Sequence, residues 1–364
     1  MSDLFDYLHW RGDLSFTLDP VNAVDALIFS ALSYITLPNT AENSGLPLSH
    51  IADDYLLLPE SMQNHRVKKD LELLKAVAAT KRFGSCNPVH FRERVVREEE
   101  TQFAAITFLL DDGTAFVTFR GTDYTLVGWK EDFNMAFQQT VPSQRLAQAY
   151  LQEIAETYPR LLRIGGHSKG GNLAVYAAVR VPQQIQRRIL SVYNHDGPGF
   201  NEYHMADPAY KQMVPKIHTF VPQSSVIGML LEHEEPYTII KSKQIGILQN
   251  EPYSWEVDGP SFVFVEEISA NSRYLDMTIK NWLAQMSMEE RNEVVDTLFD
   301  LLSMGNVDNV QDIIQPRNIR NYLWKLVSNG RARRILSTEF FHLVEAAKAT
   351  QRMVEQKQQS HTIP

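Results

Sequence analysis

The chain has 364 residues, 44% of them hydrophobic and 10% aromatic, and a formal net charge of −9. Such a composition supports a sizeable core in one large domain or two modest ones. The acidic balance argues against nucleic acid as the main partner. One cysteine, Cys86, leaves no internal disulfide, suits a reducing compartment and, without further cysteines or clustered histidines, predicts no zinc site.

Met1-Ser-Asp-Leu-Phe-Asp-Tyr-Leu8 lacks the basic start and apolar run of a signal peptide. No window approaches the ~20 apolar residues of a membrane span, so a cytoplasmic protein without a transmembrane segment is expected. From Pro20 to Tyr34 the apolar spacing is helical, with Asp19 as the expected cap and Pro20 in the first turn. A polar loop is expected from Asn39 to Leu46 and a further helix over Asp70–Ala79. Phe103–Leu110 and Thr114–Phe119 then flank Asp111-Asp-Gly113, a hairpin signal. Ser143–Thr157 reads as a helix, while Arg188–Tyr193 and Lys216–Val221 read as strands.

This alternation from about residue 100 to 225 predicts a mostly parallel sheet with helices on both faces. Beyond Tyr274 the spacing is helical throughout, over Leu275–Met286, Met288–Met304, Asn318–Ser328 and Thr338–Gln356. The expected division is a core with an N-terminal helical extension over 1–270 and a helical region over 271–364. The short basic run Arg331-Ala-Arg-Arg334 reads as a solvated helix face, and Gln358–Pro364 as a frayed end.

The most informative segment is Leu161-Leu-Arg-Ile-Gly-Gly-His-Ser-Lys-Gly-Gly-Asn-Leu-Ala174. A short apolar run meets Gly166-His-Ser-Lys-Gly170, and a strong helix former follows. In that context Gly-x-Ser-x-Gly is a nucleophile elbow, with Ser168 held on a sharp turn and the helix N-terminus aimed at the developing oxyanion. The backbone N–H of Lys169 is the first expected oxyanion donor. The second comes from Thr118-Phe-Arg-Gly-Thr-Asp123, where Gly121 permits a sharp turn and Thr122 offers an N–H.

Phe119-Arg-Gly-Thr122 with Gly166-His-Ser-Lys-Gly-Gly-Asn-Leu-Ala174 resembles the fungal-type triacylglycerol lipases, which pair such an oxyanion loop with such an elbow. A closer resemblance rests on four segments. They are Tyr7-Leu-His-Trp-Arg-Gly-Asp-Leu-Ser15, Gly121–Met135, Asn194-His-Asp-Gly-Pro-Gly-Phe200 and Val221-Pro-Gln-Ser-Ser-Val-Ile-Gly-Met229. These are similar to a lipase-like family of unknown function, sometimes called Mbeg-like and common in Gram-positive bacteria. The resemblance implies an α/β-hydrolase fold with Ser168 as nucleophile and names no substrate.

In α/β-hydrolases the triad runs Ser, then Asp or Glu, then His. Asp196 follows a strand and lies in the rigid turn Asp196-Gly-Pro-Gly199. The Val-Pro turn that carries the acid in fungal-type lipases is here Val221-Pro-Gln-Ser-Ser225, without a carboxylate. Asp196 is therefore the expected acid, its alternative role being to bond its own turn. Similar sequences tend to carry histidine where this chain has Asn250, and an amide nitrogen does not accept a proton near neutral pH. His195, His218 and His233 also follow Ser168. His233, downstream of Asp196 and among carboxylates, is the expected base, with a solvated loop histidine as the alternative. His167 is expected to pack outward, away from the hydroxyl.

Two functions compete. The first is a serine esterase or lipase-like hydrolase acting on a small-molecule ester or acyl-lipid substrate, with no metal and no organic cofactor. The second is a non-catalytic hydrolase-fold protein that binds a ligand or partner, a reading that Asn250 supports.

Overall fold

Cap residues set the first helices of the computed structural model, which describes residues 2–37, 45–123, 125–135, 138–303 and 316–360. Helix α1 (Leu4–Arg11) starts at a capping box between Asp3 and Asp6. Helix α2 (Ala23–Leu32) starts at Asn22, whose side chain accepts the Val24 and Asp25 N–H groups while Asp25 returns a bond to the Asn22 N–H. The cap is thus three residues beyond Asp19, because Asn22 and Asp25 satisfy each other's orphan groups reciprocally. Helices α3 (Leu48–Leu56), α4 (Lys68–Ala78) and the single turn α5 (Lys81–Gly84) follow. Of the loop expected at Asn39–Leu46, residues 39–44 lie outside the described residues.

Seven strands form one sheet in the order of the chain: β1 (Asn87–Val96), β2 (Thr101–Leu109), β3 (Ala115–Phe119), β4 (Leu162–His167), β5 (Ile189–His195), β6 (Ile217–Pro222) and β7 (Tyr237–Ile240). The hairpin at Asp111-Asp-Gly113 joins β2 and β3 antiparallel, and Leu110 N–H closes it on the Thr114 carbonyl. From β3 to β7 every pairing is parallel. Sequence reading passed over β1 and β7. Strand β1 pairs antiparallel with β2 through a register shift between Val89 and Arg92, and its outer half is exposed and charged, which hides the apolar alternation.

Side chains alternate between the two sheet faces. Ile106, Phe108 and Phe116 point into a core with α2 and the other N-terminal helices. Ala105, Val117 and Phe119 point into a second core with α7 (Pro142–Thr157) and α8 (Lys169–Arg180). In the chain, α6 (Leu126–Met135) lies between β3 and α7. This is the α/β-hydrolase fold that the motifs imply, a mostly parallel sheet covered on both faces.

The C-terminal helices span Ala270–Ala284, Met288–Leu302, Pro316–Ser328 and Gly330–Ser360. Met288–Leu302 packs Val295 and Phe299 against Leu126 of α6, and Asp296 pairs with Lys130 at 2.7 Å. Met304 and residues 361–364, which end two of the expected segments, lie outside the described residues. No helix among the described residues is long and apolar enough to cross a membrane.

Candidate active site

Strand β4 delivers the chain to Ser168, and α8 begins at the next residue. Ser168 adopts φ 56° and ψ −132°, a conformation that costs an L-residue about 1–3 kcal/mol and persists only where the surroundings enforce it. Here the Ser168 N–H donates to the His195 carbonyl and the Ser168 carbonyl accepts the Gly171 N–H, both at 2.8 Å. A side chain on Gly166 would overlap the Gly170 carbonyl, so strand and helix close on each other only with glycine there. The serine stands at a helix N-terminus whose first N–H groups have no intrahelical acceptor.

Across from the elbow, the loop after β3 carries Gly121 and Thr122. A carbon added to Gly121 would lie 3.1 Å from Ser168 Cβ, so this loop runs directly beside the serine. The Thr122 hydroxyl donates to Asp132 Oδ2 at 2.5 Å. Burial pushes the Asp132 carboxyl up to about 6, against the opposing pull of Lys169 and of Thr122. Lys169, next to the serine, turns its wholly buried ammonium to Gln102, donating to its carbonyl at 2.8 Å and to its Oε1 at 2.6 Å. The ammonium also donates to Glu131 Oε2 at 3.1 Å. Glu131, equally buried, additionally accepts the Gln102 N–H at 2.9 Å and the Ser143 N–H at 2.8 Å. Consecutive carboxylates of α6 therefore grip both residues expected to supply oxyanion donors. Sequence reading missed Glu131, although an Asp–Glu neighbour pair inside a packed helix is the signal that marks it.

Asp196 also has a positive φ, 56°. Its Oδ1 accepts the Ser225 hydroxyl and, at 3.1 Å, the Gly228 N–H. Its Oδ2 accepts the Asn250 amide at 2.8 Å. The Val221–Ser225 turn that lacks a carboxylate thus contributes a hydroxyl to hold the carboxylate of the preceding turn. Burial pushes Asp196 up to about 7, and the three donors with His233 only partly offset that cost.

The histidines are engaged elsewhere. His167 is buried rather than turned outward: its Nδ1 meets the Tyr34 hydroxyl at 2.9 Å and its Nε2 meets the Asn250 carbonyl. Burial, with Arg66 nearby, holds it well below the usual imidazole range. His195 bonds the Ala23 carbonyl at 3.0 Å, and burial lowers it to about 3. His218 on β6 stacks on Tyr193. His233 places Nε2 at 2.8 Å from the Gly228 carbonyl and Nδ1 at 3.2 Å from Glu235. The structure brings Ser168, Lys169 and Thr122 together and joins Asp196 to Asn250. His233 is spaced from the carboxyl by Gly228, whose N–H serves Asp196 and whose carbonyl serves the ring.

Chemically, the arrangement offers a strained serine at a helix N-terminus, an adjoining donor loop and a buried carboxyl. The donor bonded to Oδ2 of that carboxyl is the Asn250 amide, beside a hydroxyl and a backbone N–H on Oδ1.

Residues 77–300 match the model of the Mbeg1-like family. Among solved structures, a mutant of MDLA from Penicillium cyclopium is 14% identical, with 68% of this chain and 87% of that chain covered and a TM-score of 0.42. A fungal lipase is 13% identical over 73% and 90% at a TM-score of 0.44. A Rhizomucor miehei lipase–propeptide complex is 13% identical over 63% and 76% at 0.36. Curated proteins yield no match.

Proposed function

The chain belongs to the Mbeg1-like family, and from that premise we propose that it acts on carboxylic esters, acyl lipids among them, through Ser168. The observation that carries this reading is Ser168 at φ 56° and ψ −132°, set between the end of β4 and the N-terminus of α8. Ser168 Oγ attacks the ester carbonyl, and the N–H groups of Lys169 and Thr122 hold the oxyanion. The serine proton passes to the base and then to the departing alkoxide, leaving an acyl-serine that water cleaves. Asp196 is the acid of this scheme. His233 is the base, on condition that its Nε2 gives up the Gly228 carbonyl.

One observation favours the second reading, a non-catalytic ligand-binding protein: Oδ2 of Asp196 is bonded to the Asn250 amide, which takes no proton.

Labelling with a fluorophosphonate separates the two. The hydrolase reading expects labelling of the intact protein that Ser168→Ala abolishes and His233→Ala slows by roughly 10²–10⁴-fold. Labelling unchanged by His233→Ala removes that histidine from the base role. A folded protein that takes no label at all leaves the ligand-binding reading standing.

A further inference from the structure

Between residues 316 and 334 the chain carries Arg317, Arg320, Lys325, Arg331, Arg333 and Arg334 and no acidic residue, in a protein of net charge −9. This segment forms helix Pro316–Ser328 and the start of Gly330–Ser360. Tyr322 is buried and its hydroxyl donates to the Leu302 carbonyl at 3.2 Å, which fixes the inward side of the first helix. The other side turns large apolar groups to solvent: Trp324 is 68% exposed and Val327 72%, while Phe340 and Phe341 on the following helix are 68% and 61% exposed. Isolated exposed apolar side chains are ordinary, but a tryptophan within a stretch that carries cations and no acidic residue, followed by two phenylalanines that stand next to Glu339, is the composition of a helix that lies in a bilayer interface.

We propose that this basic, aromatic helical pair docks the protein on an anionic lipid bilayer. The occupant follows from charge complementarity: a segregated block of positive charge in an acidic protein selects a negative surface, and the exposed rings enter the headgroup layer. Carboxylates of the neighbouring helix Met288–Leu302 oppose this attraction locally, and Arg331 is already paired to Glu293 at 2.6 Å. The attraction therefore rests on Arg333 and Arg334, both exposed. The proposal is independent of whether Ser168 turns over any ester.

Sedimentation of the full chain with vesicles tests it, using phosphatidylcholine alone and phosphatidylcholine containing phosphatidylglycerol. Binding is expected only with phosphatidylglycerol and is expected to fall as salt is raised. A cation near such a surface contributes about fivefold in affinity, so Arg333→Gln with Arg334→Gln lowers binding by roughly 25-fold, and the paired change to Lys preserves it. Trp324→Ala with Val327→Ser lowers binding without changing its phosphatidylglycerol dependence. All these residues are exposed, so the melting temperature is expected to stay put and to certify the fold. Equal binding to both vesicles, no binding, or a Gln pair that binds like the parent overturns the proposal. So does a stable dimer that Trp324→Ala converts to monomer, because a second copy then covers this face.

Discussion

Asp196 and Asn250 hold the chemistry of this site between them. A carboxyl pushed up to about 7 by burial is largely protonated in mildly acidic solution, and a neutral carboxyl cannot stabilise a cationic base. Labelling of Ser168 is therefore expected to rise with pH through about 7, and Asp196→Asn is expected to remove that limb. Stability runs the opposite way. The unfolded carboxyl loses its proton near 3.8, the folded one near 7, so between these values the folded state binds more protons. Stability falls as pH climbs from about 4 to about 7 and is level on either side. Urea unfolding across that range checks this, and Asp196→Asn should flatten the curve. A parent curve that rises over the same window would mean that the three donors outweigh burial. Asn250→His places a titrating ring against the same carboxyl. It is expected to speed labelling if the slot at Asn250 is the base position, and to leave it unchanged if His233 serves alone.

At the scale of elements, α6 is the link between Ser168 and the C-terminal helices. Its Glu131 and Asp132 hold Lys169 and Thr122, while its outer face is packed by Phe299 and Val295 of Met288–Leu302. The rings of Phe133 and Phe299 lie 5.7 Å apart, edge to face. Phe299→Ala removes buried contacts on that seam, a loss of about 3–5 kcal/mol for a core phenylalanine. It frees α6 to shift and is expected to slow labelling of Ser168 by roughly tenfold, about 1.4 kcal/mol. Asp296→Asn deletes only a partly exposed ion pair with Lys130, worth about 0–1 kcal/mol. Its labelling rate should stay within about twofold. Time courses of labelling with thermal melts check both. Equal rates for Phe299→Ala and the parent would show that the C-terminal helices do not reach the Thr122 loop through α6.

At the scale of the whole molecule, what was legible in the sequence is what is local. The elbow, the β2–β3 hairpin and the turn at Asp196 are each written in fewer than twenty consecutive residues. Side-chain chemistry that joins distant segments was not legible. Ser225 and Asn250 meet at Asp196 across 29 and 54 residues, and Glu131 meets Lys169 across 38. The edge strands β1 and β7 escaped for a related reason, since half-exposed strands carry a weak alternation. A further example sits away from Ser168. Arg82 and Asp25, both wholly buried, pair at 2.5 Å, and Asp25 also accepts the Tyr7 hydroxyl at 2.7 Å. Arg82 further donates to the carbonyls of Leu14 and Asp19. This cluster pins α1, α2 and α5 to one another beneath the sheet. Arg82→Met leaves a buried carboxylate without its cation and is expected to cost about 3–5 kcal/mol in urea unfolding. Arg82→Met with Asp25→Leu removes the orphaned charge and should recover much of that loss, because a buried pair replaced by packed apolar groups is often neutral. A single variant that loses under about 1 kcal/mol would show that the apolar faces alone hold the N-terminal helices. A double variant as unstable as the single would show that Tyr7 and the loop carbonyls, rather than the carboxylate, bear the loss.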